Sequence, residues 1–312
     1  MAAEYIMLAT LSRVYQREET EDGTTSLGGL SINIMGCPTS PTDSNKVTFL
    51  QDLKSFLQYM TPRCINLSFN VDALNSEMYT ARKDYSRNRI KPSALQVGGG
   101  TVLLFDETLM NQGDLTEGGV KSLQAVQEVV CRQRIPMDFN YYFMNVPIDA
   151  PSIVVSSVKS VLSNDPSSSA LVRINLPPLL ESNTNNSNSA NYEFNFGEYL
   201  ENSRVVLREW WSLCRYMNTT MSEDTCSKAI DIFVDARKSG TVDNTNKNVS
   251  RECVTPEDFQ MWLKLARLIA ISNGERNITE LHLQRAMDLE EIRSRLERET
   301  HIKRPPLMSI SK

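Results

Sequence analysis

Long hydrophobic runs are missing from this 312-residue chain. None reaches the ~18 residues that a bilayer-spanning helix needs, so nothing reads as a transmembrane segment. The opening stretch MAAEYIMLATLSRVYQ has Glu4 among its first residues and no positive charge ahead of its apolar part, which is not the layout of a secretory signal. Histidine is scarce, with only His282 and His301. A Ser-His-Asp or Cys-His catalytic set therefore has almost no base to draw on, and no GxSxG elbow occurs. His282 sits between Leu281 and Leu283 on an expected helix and reads as a packed or surface residue. The six cysteines, Cys37, Cys64, Cys131, Cys214, Cys226 and Cys253, lie far apart with no CxxC pair. A zinc site would need thiols converging from remote segments, so no metal is expected and the thiols read as reduced and intracellular. No charge of one sign dominates. Lys and Arg total 33 against 38 Asp and Glu, a net charge of −5. That leaves little non-specific attraction for nucleic acid or an anionic membrane, although a local basic patch is compatible with it.

What is present is an ordinary globular balance, 40% hydrophobic and 23% charged. A chain of this length forms one large domain or two. Ile6 to Tyr15 have helical spacing, and the polar REETEDGTTSLGG after them reads as a loop. LSINIMG reads as a strand from Leu30 to Met35 ending at Gly36. Val47, Leu50, Leu53, Phe56 or Leu57, and Met60 then make one helical stripe, which Pro62 helps to stop. CINLSFNV reads as the next strand. TVLLFDE is an apolar run without alternation, as in a parallel strand buried on both faces. Val120, Leu123, Val126 or Gln127, and Val130 mark one side of a helix, and FNYYFMNVP and SIVVSSV are further strands. This alternation predicts an α/β sandwich. The Asn/Ser-rich run Glu181 to Asn191 has almost nothing to bury and reads as a disordered loop or junction.

Beyond that run the chain is nearly all helical. Val206, Trp210, Leu213 or Cys214, and Met217 mark one helix. Ala229 or Ile230 and Phe233 mark a second, capped by Ser222. Thr255-Pro256-Glu257-Asp258 begins a third with an N-cap hydroxyl, a proline at N1 and an acid at N3. Phe259, Trp262 or Leu263, Ala266, and Ile269 or Ala270 line its face. Thr279 caps a last helix holding Leu283, Ala286 and Met287. The expected division is an α/β part over residues 1–200 and a helical part over 201–312.

A strand end, a loop, a helix, and later an apolar strand ending in Asp106-Glu107 is the layout of a P-loop nucleotide domain, in which the acidic pair holds magnesium and orients water. The loop itself fails the chemistry. A working loop is GxxxxGK[ST]; with Gly36 first, this chain reads GCPTSPTD. Pro41 stands at the second glycine and has no N–H to offer a phosphate. Thr42 replaces the lysine and carries no charge. Asp43 replaces the Ser/Thr and adds a negative charge, while Lys46 comes four residues late. The loop is not expected to hold ATP in the ordinary way, and no cofactor is expected. For nucleic acid, the one stretch to consider is Arg82, Lys83, Arg87, Arg89 and Lys91, interleaved with Tyr79 and Tyr85. Asp84 interrupts it, and a structural or protein-binding role is the preferred reading. Trp210 and Trp211, about 100° apart on a helix, are expected to divide between the core and a neighbouring subunit or domain.

The stretches KDYSRNR, GTVLLFDETLMNQGDLTEGGVKSL and PMDFNYYFMNVP, the last leading into SIVVSS, resemble the minichromosome maintenance complex-binding protein family. The resemblance runs through nearly the whole chain and matches the carboxyl-terminal half to two-thirds of such a protein. That family is similar in turn to the AAA+ motor domain of the helicase subunits it binds. By that similarity LSINIMGCPTSPTD corresponds to the motor's strand and phosphate loop, Asp106-Glu107 to its acidic pair, and Ser156-Ser157 to its polar sensor. LREWWSLCRYMNTTMSEDTCSKAIDIFVDARKSG and VTPEDFQMWLKLARLIAISNG correspond to helices of its lid, with Pro256-Glu257 near the place of an arginine that reaches nucleotide. The resemblance implies a degenerate AAA+-like sandwich followed by a lid-like helical domain. It also implies a nuclear, non-hydrolysing assembly or storage chaperone of helicase subunits, acting in DNA replication and sister-chromatid cohesion. Candidate contacts are the sheet edge, the Thr108–Gly119 segment with Thr108, Leu109, Met110 and Leu115, and the lid helices with Trp210 and Trp211. The competing expectations are an atypical AAA+ ATPase and a DNA-contacting replication factor.

Overall fold

The computed structural model describes residues 1–20, 23–37, 49–110, 112–157, 160–164, 171–175, 196–241 and 254–302. The chain begins with α1 (Ala2–Leu11), the strands β1 (Gln16–Thr20), β2 (Gly23–Leu27) and β3 (Ser31–Met35), α2 (Phe49–Met60), β4 (Cys64–Ser68) and α3 (Val71–Asn75). It continues through β5 (Ala81–Asp84), β6 (Arg89–Lys91), β7 (Val102–Asp106), α4 (Glu117–Arg132), β8 (Arg134–Asp138), β9 (Phe143–Pro147) and β10 (Ser152–Ser156). A 3₁₀ turn (Val161–Asn164) and β11 (Leu171–Asn175) follow, then α5 (Phe196–Arg215), β12 (Thr220–Met221), α6 (Glu223–Thr241), α7 (Pro256–Ser272), β13 (Asn277–Ile278) and α8 (Glu280–Ile302).

The central sheet has five parallel strands in the order β11-β3-β10-β7-β4. Every residue of β3, β7 and β10 is buried, which is why these segments are continuous apolar runs rather than alternating ones. Successive side chains point to opposite faces and divide the core in two. On one side Ile32, Ile34, Val102, Leu104, Ile153, Val155, Val172 and Ile174 pack with residues of α1, α2, α7 and α8. On the other, Leu67, Leu103, Phe105 and Val154 pack with Leu74 of α3 and with Ala125, Val126, Val129 and Val130 of α4. The α/β class expected from the alternation is therefore observed, and the carboxyl-terminal helices share an apolar cluster with the sheet.

Local signals in the sequence explain several helix starts. Thr255 accepts from the Asp258 N–H and Asp258 accepts from the Thr255 N–H, a complete capping box at the head of α7. Ser222 accepts from the Thr225 N–H at the head of α6. At α8 the Thr279 N–H donates to Nδ1 of His282, so this buried histidine serves the helix cap. At α4, Thr116 caps Gly119, and two adjacent glycines let α3 approach closely. A Cβ on Gly118 would lie 2.4 Å from Glu77 Oε1, and one on Gly119 would lie 2.2 Å from Asn75 Oδ1.

Other elements depart from the periodicity. REETEDGTTSLGG supplies the β1–β2 antiparallel hairpin instead of a loop. Arg17 is the reason, donating to Ser26 Oγ at 2.6 Å, Gln133 O at 3.2 Å and Ile148 O at 2.6 Å. These tertiary ties override weak local strand preference. On α4 the expected Val126 and Val130 are buried, with Ser122, Ala125 and Val129, and Leu123 packs partly buried against the core, but Val120 is exposed. On α5 the inward residues are Trp211, Cys214 and Arg215, whereas Val206 and Leu213 are exposed. A second, four-stranded sheet in the order β6-β5-β8-β9 was legible only in its last strand.

Arg215 explains the rotation of α5. Its side chain is fully buried, donates to the carbonyls of Thr10 and Ser12, and pairs with Asp149 Oδ2 at 2.6 Å. The guanidinium lies over the Trp211 ring, 5.5 Å from its centroid. A buried charge needs such partners, and they turn this helix face inward.

Candidate functional site

The carboxyl ends of β3, β10 and β7 lie side by side, with Ser156 in register with Met35 and Val155 with Asp106. This edge gathers Gly36, Asp106, Glu107 and Ser156, which are separated by up to 120 positions along the chain. Gly36 leaves β3 with φ +81°, a left-handed turn that glycine makes without a Cβ clash. The next residue, Cys37, donates its N–H to Ser156 O at 3.1 Å. Its thiol is pushed up to about 12, first by burial and then by the negative charge of Asp106. Pro41, Thr42 and Asp43 lie outside the described residues, as do Lys46, Val47 and the Asn/Ser-rich run 181–191.

Both acids at this edge face inward. Asp106 Oδ1 accepts from the Thr108 N–H at 3.0 Å and from its hydroxyl at 2.6 Å, so the carboxylate closes its own turn. Glu107 is 4% exposed. Its N–H donates to Val155 O at 2.9 Å, and its Oε1 accepts from the Val161 N–H at 2.7 Å. Its Oε2 is buried without a hydrogen-bond partner. Burial raises the Glu107 pKa, an effect that hydrogen bonds from the Ser160 hydroxyl and the Val161 N–H only partly offset. Ser156 Oγ donates to Asn33 Oδ1 at 3.2 Å, and the buried Asn33 Nδ2 has no hydrogen-bond partner. In this geometry the side chains tie strand ends to one another and to the 3₁₀ turn. Among the described residues no group of three or more His, Cys, Asp or Glu side chains is arranged to hold a metal ion.

The other candidate residues fall in three places. Beyond β7, Thr108 is held by Asp106, while Met110 and Leu115 pack partly buried against the core. Leu109, at 61% exposure, alone of these four presents a large apolar side chain to solvent. Trp210 and Trp211 lie elsewhere: Trp211 is 3% exposed against Leu11, Cys214 and Ile271, and Trp210 packs partly buried on the same cluster. The Trp211 ring approaches Gly100, just before β7, and so lies by the amino ends of the strands. Arg82, Lys83, Arg87, Arg89 and Lys91 come together on the β5–β6 hairpin. There Arg82 faces Glu77 at 3.6 Å, and Arg82, Lys91 and Lys121 line a cavity of about 180 Å³ with Glu77, Glu117 and Asp138. Three cations oppose three carboxylates there. Tyr79 is buried with its hydroxyl bonded to Ser68 O, so only Tyr85 is open to solvent.

The sequence reading missed an exposed apolar group, Tyr141, Tyr142, Phe143 and Met144, at the turn into β9. The available signal was the run FNYYFMNVP, apolar yet carrying the turn residue Asn140, whose φ is +64°.

Residues 1–296 match the model of the family described as Mini-chromosome maintenance replisome factor. The chain belongs to that family. Similar curated proteins include the Mini-chromosome maintenance complex-binding protein of Danio rerio, 29% identical over 293 residues, covering 94% of this chain and 42% of that protein. The protein of the same name from Homo sapiens is 27% identical over 293 residues, 94% of this chain and 41% of its own length. That from Drosophila melanogaster is 26% identical over 291 residues, 93% of this chain and 43% of its own. The chain thus spans less than half the length of these family relatives. No helix among the described residues is long and apolar enough to cross a membrane.

Proposed function

We propose that this chain is a non-hydrolysing, AAA+-like module that binds subunits of the minichromosome maintenance helicase and acts as their assembly or storage chaperone. The observation that carries the non-hydrolysing half is the inward setting of Glu107. A carboxylate that orients an attacking water must be ionised and open to it. Here the carboxylate is buried, bonded to the Val161 N–H, and biased by burial toward the neutral acid. Pro41, Thr42 and Asp43 argue the same way from the loop's chemistry. The names of the relatives, which are complex-binding proteins, support the partner. The sheet order supports the fold relationship, because β10 with Ser156 separates the strand of the degenerate loop from the strand of the acidic pair. Residues 1–200 are then the sandwich and 201–312 the lid-like part, although the two share an apolar cluster. Nuclear location and roles in replication and sister-chromatid cohesion follow from the same reading. Leu109 is the residue of the Thr108–Gly119 segment best placed to meet a partner.

Two measurements test this. Calorimetric titration with MgATP is expected to give no binding tighter than about 10 μM, and purified chain is expected to show no turnover. Steady hydrolysis that disappears in Glu107→Ala would overturn the reading in favour of an ATPase. Purified minichromosome maintenance complex is expected to co-elute with the chain, and failure to do so removes the binding half. The exposed β5–β6 hairpin supports a second reading, DNA contact, which requires salt-dependent affinity that falls when Arg87 and Arg89 are neutralised.

A further inference from the structure

We infer that the open edge of β9 accepts an extended, uncharged segment of a protein partner as a fifth strand of the small sheet. The inference rests on the proposed helicase-binding function and assigns that segment to a subunit of the minichromosome maintenance complex. β9 is the last strand of the order β6-β5-β8-β9, and nothing among the described residues pairs with its outer side. The register with β8 runs from Arg134 opposite Pro147 to Asp138 opposite Phe143. Just beyond it, Phe139 N–H donates to Tyr142 O at 3.0 Å, and at the other end Ile148 N–H donates to Gln133 O at 3.0 Å. Antiparallel ladders alternate between bonded and non-bonded pairs. The bonded pairs on β9 are therefore Met144 and Val146, and the N–H and C=O groups of Phe143 and Asn145 point away from β8, with the Pro147 carbonyl. Pro136 and Pro147 both fall where this ladder requires no N–H.

The two edges of the sheet differ in chemistry. β6 is Arg89-Ile90-Lys91, short and charged, the composition that deters strand pairing. β9 is Phe-Met-Asn-Val-Pro, without a charge. Tyr141 is 90% exposed, Tyr142 and Phe143 59% each and Met144 44%. The three aromatics alone expose about 400 Å² if each carries ~200 Å², the size at which an apolar patch on a monomer is commonly an interaction site. Strand addition matches this arrangement, with main-chain bonds at Phe143 and Asn145 and side-chain contacts at Phe143 and Met144. A second copy of the chain fits less well. Two such aromatic patches would bury about 800 Å² in total, short of the ~1,200 Å² of a stable interface. A larger partner, touching other surfaces as well, makes up the difference.

Hydrogen exchange on the full chain with and without purified minichromosome maintenance complex tests the inference without any substitution. Amides in 141–147 are expected to slow on complex formation; a complex that forms without slowing them overturns it. Asn145→Pro removes one outward N–H that the β8 ladder does not use, and is expected to weaken binding about tenfold with little change in Tm. Tyr141→Ser with Phe143→Thr is expected to weaken it similarly. Wild-type binding by these variants, with exchange unchanged, defeats the β9 assignment while leaving helicase binding intact. Absence of any association by the wild-type chain defeats both. A wild-type dimer that Asn145→Pro converts to monomer, read by light scattering, would replace the partner segment with a second copy.

Discussion

At the scale of single residues, Glu107 shows how burial changes what a carboxylate does. Its Oε1 is occupied by the Val161 N–H, and its raised pKa comes from desolvation that those bonds only partly offset. In the unfolded chain the same carboxyl titrates near its ordinary value of about 4.3. The folded state therefore holds its proton to higher pH than the unfolded state does, and stability linked to this group falls as pH rises through that window. Glu107→Gln keeps an acceptor for Val161 and cannot ionise. The variant's melting temperature relative to wild type is expected to be higher at pH 8 than at pH 4. A difference that stays flat, or grows toward acid, would show that the carboxylate is not held neutral by burial.

At the scale of elements, the contact between α3 and the head of α4 makes opposite demands at neighbouring glycines. An alanine in a helix is favoured over glycine by about 1 kcal/mol. At Gly118 the new methyl meets the flexible end of Glu77, which can swing at the expense of its exposed pairing with Arg82. At Gly119 it meets Asn75 Oδ1, which is fixed by accepting from the Thr116 N–H and hydroxyl, while Asn75 Nδ2 donates to Asp114 O. Gly118→Ala is expected to be within about 1 kcal/mol of neutral and Gly119→Ala to cost about 1–3 kcal/mol by urea unfolding. Equal effects would contradict the difference in anchoring. Elements of this kind were legible to unequal degrees. The buried strands β3, β7 and β10 and the capping box of α7 could be read because their causes are contiguous in sequence. The β1–β2 hairpin could not, since Arg17 reaches carbonyls more than a hundred positions away. On α5, Cys214 and Trp210 of the expected face do turn inward, but Val206 is exposed, because the buried side contains an arginine, which no apolar period identifies. At the strand ends, the register positions of Asp106, Glu107 and Ser156 were foreseeable. The inward rotation of Glu107 was not, because it depends on the distant Val161.

At the scale of the whole molecule, the helices after residue 200 are joined to the end of α1 and to the β9–β10 loop by Arg215, and to the sheet by apolar packing. Removing one partner of a buried ion pair typically costs about 3–5 kcal/mol, and Arg215→Ala is expected to fall in that range by chemical denaturation. Because one apolar cluster spans both parts, wild-type unfolding is expected to coincide when followed by helix content and by aromatic environment. Two separated transitions would mean that the helices form a unit of their own. The clamp between the first and last helices carries this coupling furthest: Tyr5 donates to Glu290 Oε1 at 2.5 Å across 285 positions, and Glu4 meets Arg285 at 2.8 Å. During synthesis α1 emerges with its apolar side unsheltered and must wait for α8, a delay of roughly 15–60 s at ribosomal speed.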